Sequence, residues 1–285
     1  MRKRNTTEKS YHGNMSGKII INLILMIFSI TCIFPAVWLF YSSMKTKSEF
    51  FENPIALPST LNFGNYINVL QKSDMLLWMK NTARNTFLSL ILILLIGFVV
   101  GYFVARFDFK GRKLLYSYFL LGMLIPIHAI MIPMYILFTK TGLGDSWYTL
   151  IFPYTAFGIP ISVFLVESYV QNVPRELEEA AAIDGSSFSR TLFSIILPVC
   201  KPILVTIGII HFFSLWNEFT YSLILLSDER LKTISVGLTI FKGQYSTDYP
   251  QMMAAMFMAI LPAIILYFAF SKQIIKGMVA GAVKG

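Results

Sequence analysis

The chain has 285 residues, 55% of them hydrophobic and only 14% charged, and its 24 Lys and Arg outnumber 15 Asp and Glu for a net charge of +9. Soluble domains carry about a quarter charged residues, so one water-bathed core cannot hide this apolar surplus, and an ordinary soluble enzyme is excluded. A nucleic-acid binder is excluded too, because the cations flank apolar stretches instead of forming one basic face.

A helix crossing the hydrocarbon layer needs about 20 mostly apolar residues, and six stretches qualify: 19–41, 86–105, 114–139, 147–166, 202–227 and 252–271. The first is longer than a signal-peptide core and no small-x-small cleavage site follows it, so it reads as a retained helix. The fifth alone contains any Asp, Glu, Lys or Arg, and it has one, Glu218. Such a group costs about 2.5–3.5 kcal/mol at mid-membrane and less near an interface. Glu218, with its neighbours Trp216 and Asn217, is therefore expected to face the bundle interior, a partner or a solute path. His128 and His211 read as hydrogen-bonded packing residues. Cys32 and Cys200 are separated by several apolar runs, which argues against a disulfide or a metal site.

With the N-terminus placed inside, fifteen of the 24 Lys and Arg fall on the inner side, so both termini are expected in the cytoplasm. The domain layout is then a tail over 1–18, a membrane domain over 19–271 and a second tail over 272–285. Outer loops run over 44–84 and 228–250. Pro54, Pro58 and the amphipathic stretch 66–70 predict a folded first outer loop.

The inner loop, 169–201, has helix signals written into it. Asn172 can cap a helix with Pro174 in its first turn. Glu176, Glu178 and Glu179 then complement the helix dipole, and Ala180, Ala181 and Ala182 favour helix. Asp184 and Gly185 end it. Ser186 or Ser187 can cap a second helix through Leu197, which Pro198 closes. Small residues admit a close approach by a partner, and Leu177 and Ala181 share a face able to enter a groove. On these grounds alone, a partnerless helix lying at the membrane surface is an equal alternative.

The pattern Glu179-Ala180-Ala181, three residues, Gly185, nine residues, Ile195-x-Leu197-Pro198 resembles the loop signature of binding-protein-dependent ABC importer permeases. Trp216-Asn217-Glu218-Phe219, the run from Pro58 to Tyr66 and the C-terminal stretch from Gly237 to Gly285 are similar to the carbohydrate branch, and to its MalG-like half. The resemblance implies an all-α integral membrane protein with six transmembrane helices in the type I importer permease fold. It implies that Glu179, Ala180, Ala181, Asp184, Gly185, Ile195, Leu197 and Pro198 couple to an ATPase, and that Gly277, Gly281, Lys284 and Gly285 reach toward it. Its implied partners are a MalF-like second permease, two copies of a cytoplasmic ABC ATPase, an extracytoplasmic binding protein and the lipid bilayer, with no nucleic acid.

The chain has no phosphate-binding Gly-rich loop ending in Lys and Ser or Thr. No catalytic constellation and no metal site is expected, and no cofactor in this chain; ATP and Mg belong on the partner ATPase. The expected function is import of a sugar or oligosaccharide. Alternatives are a permease for amino acids, phosphate or oxyanions, and an ion-coupled transporter. The last would require several intramembrane acids and an internal repeat.

Overall fold

The computed structural model describes the backbone of residues 15–241 and 248–282, and the side chains of 17–241 and 248–273. Over these residues the regular structure is helical: α1 Met15–Ser42, α2 Lys47–Glu52, α3 Gly64–Lys72, α4 Met75–Arg106, α5 Arg112–Gly122, α6 Met131–Thr141 and α7 Ile151–Val170. Then follow α8 Glu176–Ile183, α9 Phe188–Arg190, α10 Leu197–Val199, α11 Lys201–Trp216, α12 Thr220–Leu225, α13 Ile234–Gly237 and α14 Tyr249–Ala282. Helices α1, α4, α7 and α14 are long and apolar enough to cross a membrane, and the count reaches up to six if two bent pairs are single spans.

Two of the expected uninterrupted helices are broken, the first of them at a bent pair. The stretch 114–139 is divided between α5 and the segment ending in α6, which meet at 90°. Pro126 forces the break, because its ring disfavours a helical conformation at Ile125. The stretch 202–227 is divided between α11 and the short α12, with Asn217–Phe219 between them. A second bend of 71° separates α10 from α11 at Cys200, just before Pro202.

The centre of the bundle is the pairing of α4 with α7. Lipid tails are as apolar as leucine, so helices associate in a membrane through close packing, which small residues permit. Gly97 and Gly101 of α4 lie against Ser162 and Val166 of α7, and a Cβ on either glycine would come within 2.5 and 2.7 Å of those side chains. Gly158 of α7 returns the fit, receiving Ile93 of α4. Around this seam, Phe98, Tyr102, Tyr154, Val166, Ile196 and Ile207 form the main apolar core.

At its N-terminal end α4 holds the segment expected as the second outer loop. The Asn81 amide donates to the carbonyls of Arg230 at 2.8 Å and Lys232 at 3.0 Å, and the Thr82 hydroxyl accepts from Ile234 N–H at 2.8 Å. A smaller core of Val69, Met75, Trp78, Ile234 and Ala254 lies at this end. The loop expected over 44–84 is folded: it contains α2 and, over the amphipathic stretch 66–70, α3, and from Met75 on it is already part of α4. Thr46 and Glu49 form a reciprocal capping box on α2. Lys45, 1% exposed, donates to the carbonyls of Asn53 and Pro54 at 3.0 Å each. Trp38 and Tyr41 of α1 bond the carbonyls of Pro54 and Ile55, tying the loop to that helix.

Candidate functional site: an elbow and a cavity

The 32 residues of α4 span roughly 48 Å at the α-helical rise, and its C-terminal end carries the loop that the sequence singles out. The Arg106 guanidinium there is 5% exposed; its Nε donates to Glu178 Oε1 at 2.8 Å and its Nη2 to the Val173 carbonyl at 2.7 Å. One side chain thus fixes both the approach to α8 and the helix itself. Phe188 packs on Phe103 and Phe107 of α4, with ring centroids 5.6 and 6.0 Å apart, and anchors the far arm of the elbow.

Between the arms, Gly185 adopts φ +71°. Its N–H bonds the Ala182 carbonyl at 3.0 Å, and the Ser186 N–H bonds the Ala181 carbonyl at 2.9 Å, the paired closure that a left-handed residue permits. Ser187 caps the next helix, its hydroxyl accepting from Arg190 N–H at 3.4 Å. Helix, turn and helix are therefore present, with three corrections.

Asn172 does not cap α8. Its amide donates back to the Ser168 carbonyl at 2.7 Å, and the helix starts at Glu176. Nor does Pro198 close the second helix. α9 runs into wide π turns over Thr191–Ile196 and on through α10, ending at Cys200. Wide turns suit the residues before a proline, which lacks an N–H and crowds the carbonyl four positions back. Finally, Ala181 is buried at 4% exposure, so it packs on its own chain and presents nothing to a partner.

The surface that α8 offers is different: Glu179, Ala180, Asp184 and Gly185 are exposed, and Ile183 is 87% exposed. Ile195 and Leu197 are half-buried behind the elbow and Pro198 is exposed. Ile183 and Arg106 escaped the sequence reading. A lone isoleucine before Asp-Gly looks like core, and Arg106 looks like one more cation flanking a span. Glu167 escaped as well, because α7 continues past the expected end at 166; it is buried and accepts from the Tyr116 hydroxyl at 3.0 Å.

A second feature lies at the break between α11 and α12. The Glu218 carboxylate is there, accepting from the Tyr154 hydroxyl and Tyr221 N–H, both at 2.7 Å, and from Ser222 N–H at 3.2 Å. It closes the start of α12 and ties it to α7. Asn217 and Glu218 line a cavity of about 340 Å³ between α7, α11, α12 and the turn over Ile127–Ile130. Trp216 does not join them. Its indole N–H donates to the Ala259 carbonyl of α14 at 3.0 Å and its ring stacks on Phe212 at 5.4 Å, which makes it a packing residue. His211 is a hydrogen-bonded packing residue, paired with the Ser162 hydroxyl at 3.0 Å, whereas the expectation fails for His128, whose ring is exposed at the cavity with no hydrogen-bond partner among the described residues.

Gly277 and Gly281 fall in the last turns of α14. Lys284 and Gly285 lie outside the described residues, as do 1–14 of the N-terminal tail. Among the described residues there is no cluster of three or more His, Cys, Asp or Glu fit to hold a metal ion.

Residues 94–274 match the family described as binding-protein-dependent transport system inner membrane component. The chain belongs to this family. The permease is 38% identical over 264 residues to a putative ABC transporter permease protein of Caldicellulosiruptor sp., covering 92% of this chain and 96% of that one. It is 34% identical to the trehalose/maltose transport system permease protein MalG of Thermococcus litoralis, covering 94% and 96% of the two chains. Its fold matches a chain of a bacterial ABC transporter involved in import of the acidic polysaccharide alginate, with a TM-score of 0.79 at 23% identity over 90% of this chain and 95% of that one. The permease is thus a multi-pass inner-membrane component of an ABC transporter.

Proposed function

We propose that this permease carries a sugar or short oligosaccharide into the cell, and that the elbow at α8 receives the work of ATP hydrolysis from a separate ATPase. The substrate class rests on the relatives: besides the trehalose/maltose protein, they include the melibiose/raffinose/stachyose import permease protein MelC of Bacillus subtilis, 31% identical over 93% of this chain. The cavity at Glu218 agrees with that class. Its lining includes hydroxyl, amide and imidazole groups and no Lys or Arg, so it offers no counter-charge to phosphate or to an amino-acid carboxylate.

In this reading the chain pairs with a homologous second permease and sits on two ATPase subunits that bind ATP and Mg. An extracytoplasmic protein delivers the solute to the end bearing α2, α3 and α13. Both termini face the cytoplasm, and each bent pair counts as one span, giving six. The tail through Gly277, Gly281, Lys284 and Gly285 extends toward the ATPases. ATPase closure draws the elbows together, and the motion passes through the Arg106–Glu178 pair into α4.

The carrying observation is the exposed, small and acidic surface of α8 held rigidly on α4 by Arg106. Glu179→Lys places a cation where an acid is exposed and leaves the Arg106 pair intact. It should lower uptake and ATPase co-purification at least tenfold while the permease still accumulates in the membrane. Unchanged uptake and co-purification would remove the coupling role. Uptake of amino acids or phosphate, with no saccharide transported, would favour the other importer branches.

A further inference from the structure

We infer that this subunit itself holds part of the solute: the cavity at the α11–α12 break is a subsite for an uncharged, hydroxyl-rich sugar ring, contacted by Ser214, Asn217, His128 and Phe219. The inference rests on the proposed sugar-import reading and adds to it where, in this chain, the sugar is bound.

The division of labour around the break carries the argument. Glu218 is already committed: three donors fill most of the roughly four lone-pair directions of a carboxylate, so its task is to fix the shape of the break. The neighbouring polar groups are the ones left open. Asn217 spends one of its two amide N–H groups on the Phe213 carbonyl at 2.8 Å, and its other N–H and its carbonyl oxygen have no partner among the described residues. Ser214 lies one helical turn earlier on the same face of α11. It is exposed to the cavity, as is the His128 ring, and neither side chain has a hydrogen-bond partner among the described residues. Phe219 adds a 39% exposed ring at the same wall.

A hydroxyl both donates and accepts. It can therefore satisfy the Asn217 carbonyl, which only accepts, and the Ser214 hydroxyl, which does either. The apolar face of a sugar ring can lie on Phe219. A cavity of about 340 Å³ sits at the small end of the range of about 300–1,000 Å³ usual for small-molecule sites. It suits a ring or two of a longer chain, not the whole of one. Backing by α7 and α11, both part of the main core, makes the wall rigid, which favours a preformed site over one made on demand.

The test compares Ser214→Leu and Asn217→Leu, which fill the cavity and delete its open polar groups, with Asn217→Gln, which restores an amide. Each variant is expressed with the complete transporter in a strain lacking the natural chain. Uptake of labelled maltose, melibiose, raffinose and arabinotriose is measured, together with ATPase activity stimulated by the binding protein in the purified complex. The subsite predicts at least a tenfold loss of uptake in both leucine variants, stimulated ATPase within twofold of normal, and partial recovery or an altered ranking of the sugars with Asn217→Gln. Uptake unchanged in both leucine variants would overturn the subsite while leaving sugar import intact. Uptake and ATPase falling together, with no rescue by glutamine, would overturn it in favour of a structural role. If the unsubstituted permease supports uptake of none of the four sugars, the sugar-import reading falls and the subsite falls with it.

Discussion

Arg106 shows how much one side chain decides in this molecule. Its guanidinium is almost wholly buried yet serves two acceptors, Glu178 and the Val173 carbonyl. Removing a partner from a buried charge pair is more damaging than the pair's net worth, because the remaining group loses its compensation. Arg106→Ala is expected to destabilise the elbow by about 2–4 kcal/mol. Glu178→Gln keeps a neutral acceptor for Arg106 Nε but leaves the buried guanidinium without a counter-charge, so it should cost a comparable amount. Thermal unfolding of the purified permease in detergent, with proteolysis at the α8–α9 turn as the local probe, measures both. Gly185 makes a backbone counterpart. No atom lies within 4 Å of where its Cβ would be, so any penalty there comes from the left-handed φ alone. Gly185→Val should lose about 1–2 kcal/mol by the same unfolding measurement, and Gly185→Asn distinctly less.

At the scale of elements, the α4–α7 seam is set by glycine spacing. A Cβ at Gly101 would meet Val166 at 2.7 Å and the Val163 carbonyl at 3.0 Å, a backbone atom that cannot turn aside. Gly101→Ala is therefore expected to destabilise the bundle by about 1–3 kcal/mol through overpacking. Gly208 of α11 provides the contrast, because its Cβ would find only the Leu94 side chain, at 4.0 Å. Gly208→Ala should be neutral or stabilising by up to about 1 kcal/mol through helix propensity. Melting temperatures of the two variants, run side by side, separate contact from propensity.

The loop over 44–63 has a different dependence, on pH. The Ser59 hydroxyl, then the Thr46 N–H, hold the Glu49 carboxyl down to about 2 from its ordinary 4.5. A depressed folded-state value means that the ionised form stabilises the fold. That contribution is complete above about pH 4.5 and disappears as pH falls through about 2. An acid titration followed by the fluorescence of Trp38, whose indole bonds this loop at Pro54, should show a step near pH 2. Glu49→Gln should abolish it.

For the whole molecule, the length of α4 is the organising fact. One end holds Arg230 and Lys232 through Asn81, the other holds α8 through Arg106, so the segment bearing those two cations and the elbow lie at opposite ends of one long helix. A cysteine at Ser186 is expected to resist an impermeant thiol reagent added to intact cells. A cysteine at Leu57, exposed in the loop at the other end, should react. The labelling ratio between intact and permeabilised cells reads the topology directly, and a reversed ratio would invert the proposed orientation.

How much of this was legible in the residues follows the range of the forces involved. Apolar runs of membrane length, the folded outer loop, the elbow's turn at Gly185 and its cap at Ser187 are decided within a few neighbours, so the sequence carried them. The family was legible as well, because the signature from Glu179 to Pro198 is a local spacing. Where α5 breaks from α6 was half written, since Pro126 marks the place without giving the angle.

What tertiary structure alone decided is which groups meet. Nothing near Glu178 in the chain names Arg106, and nothing near Glu218 names Tyr154, 64 positions away. Trp216 and Asn217 are adjacent in sequence, yet the helix turn points one into the core and the other into the cavity. Ala181 is covered and Ile183 is open for the same reason: composition marks a residue as apolar, but only the packed bundle determines which apolar side is covered. Local preference acts along the chain, whereas burial and charge pairing act across space, and the separation between the two is the physical limit of what this sequence could state by itself.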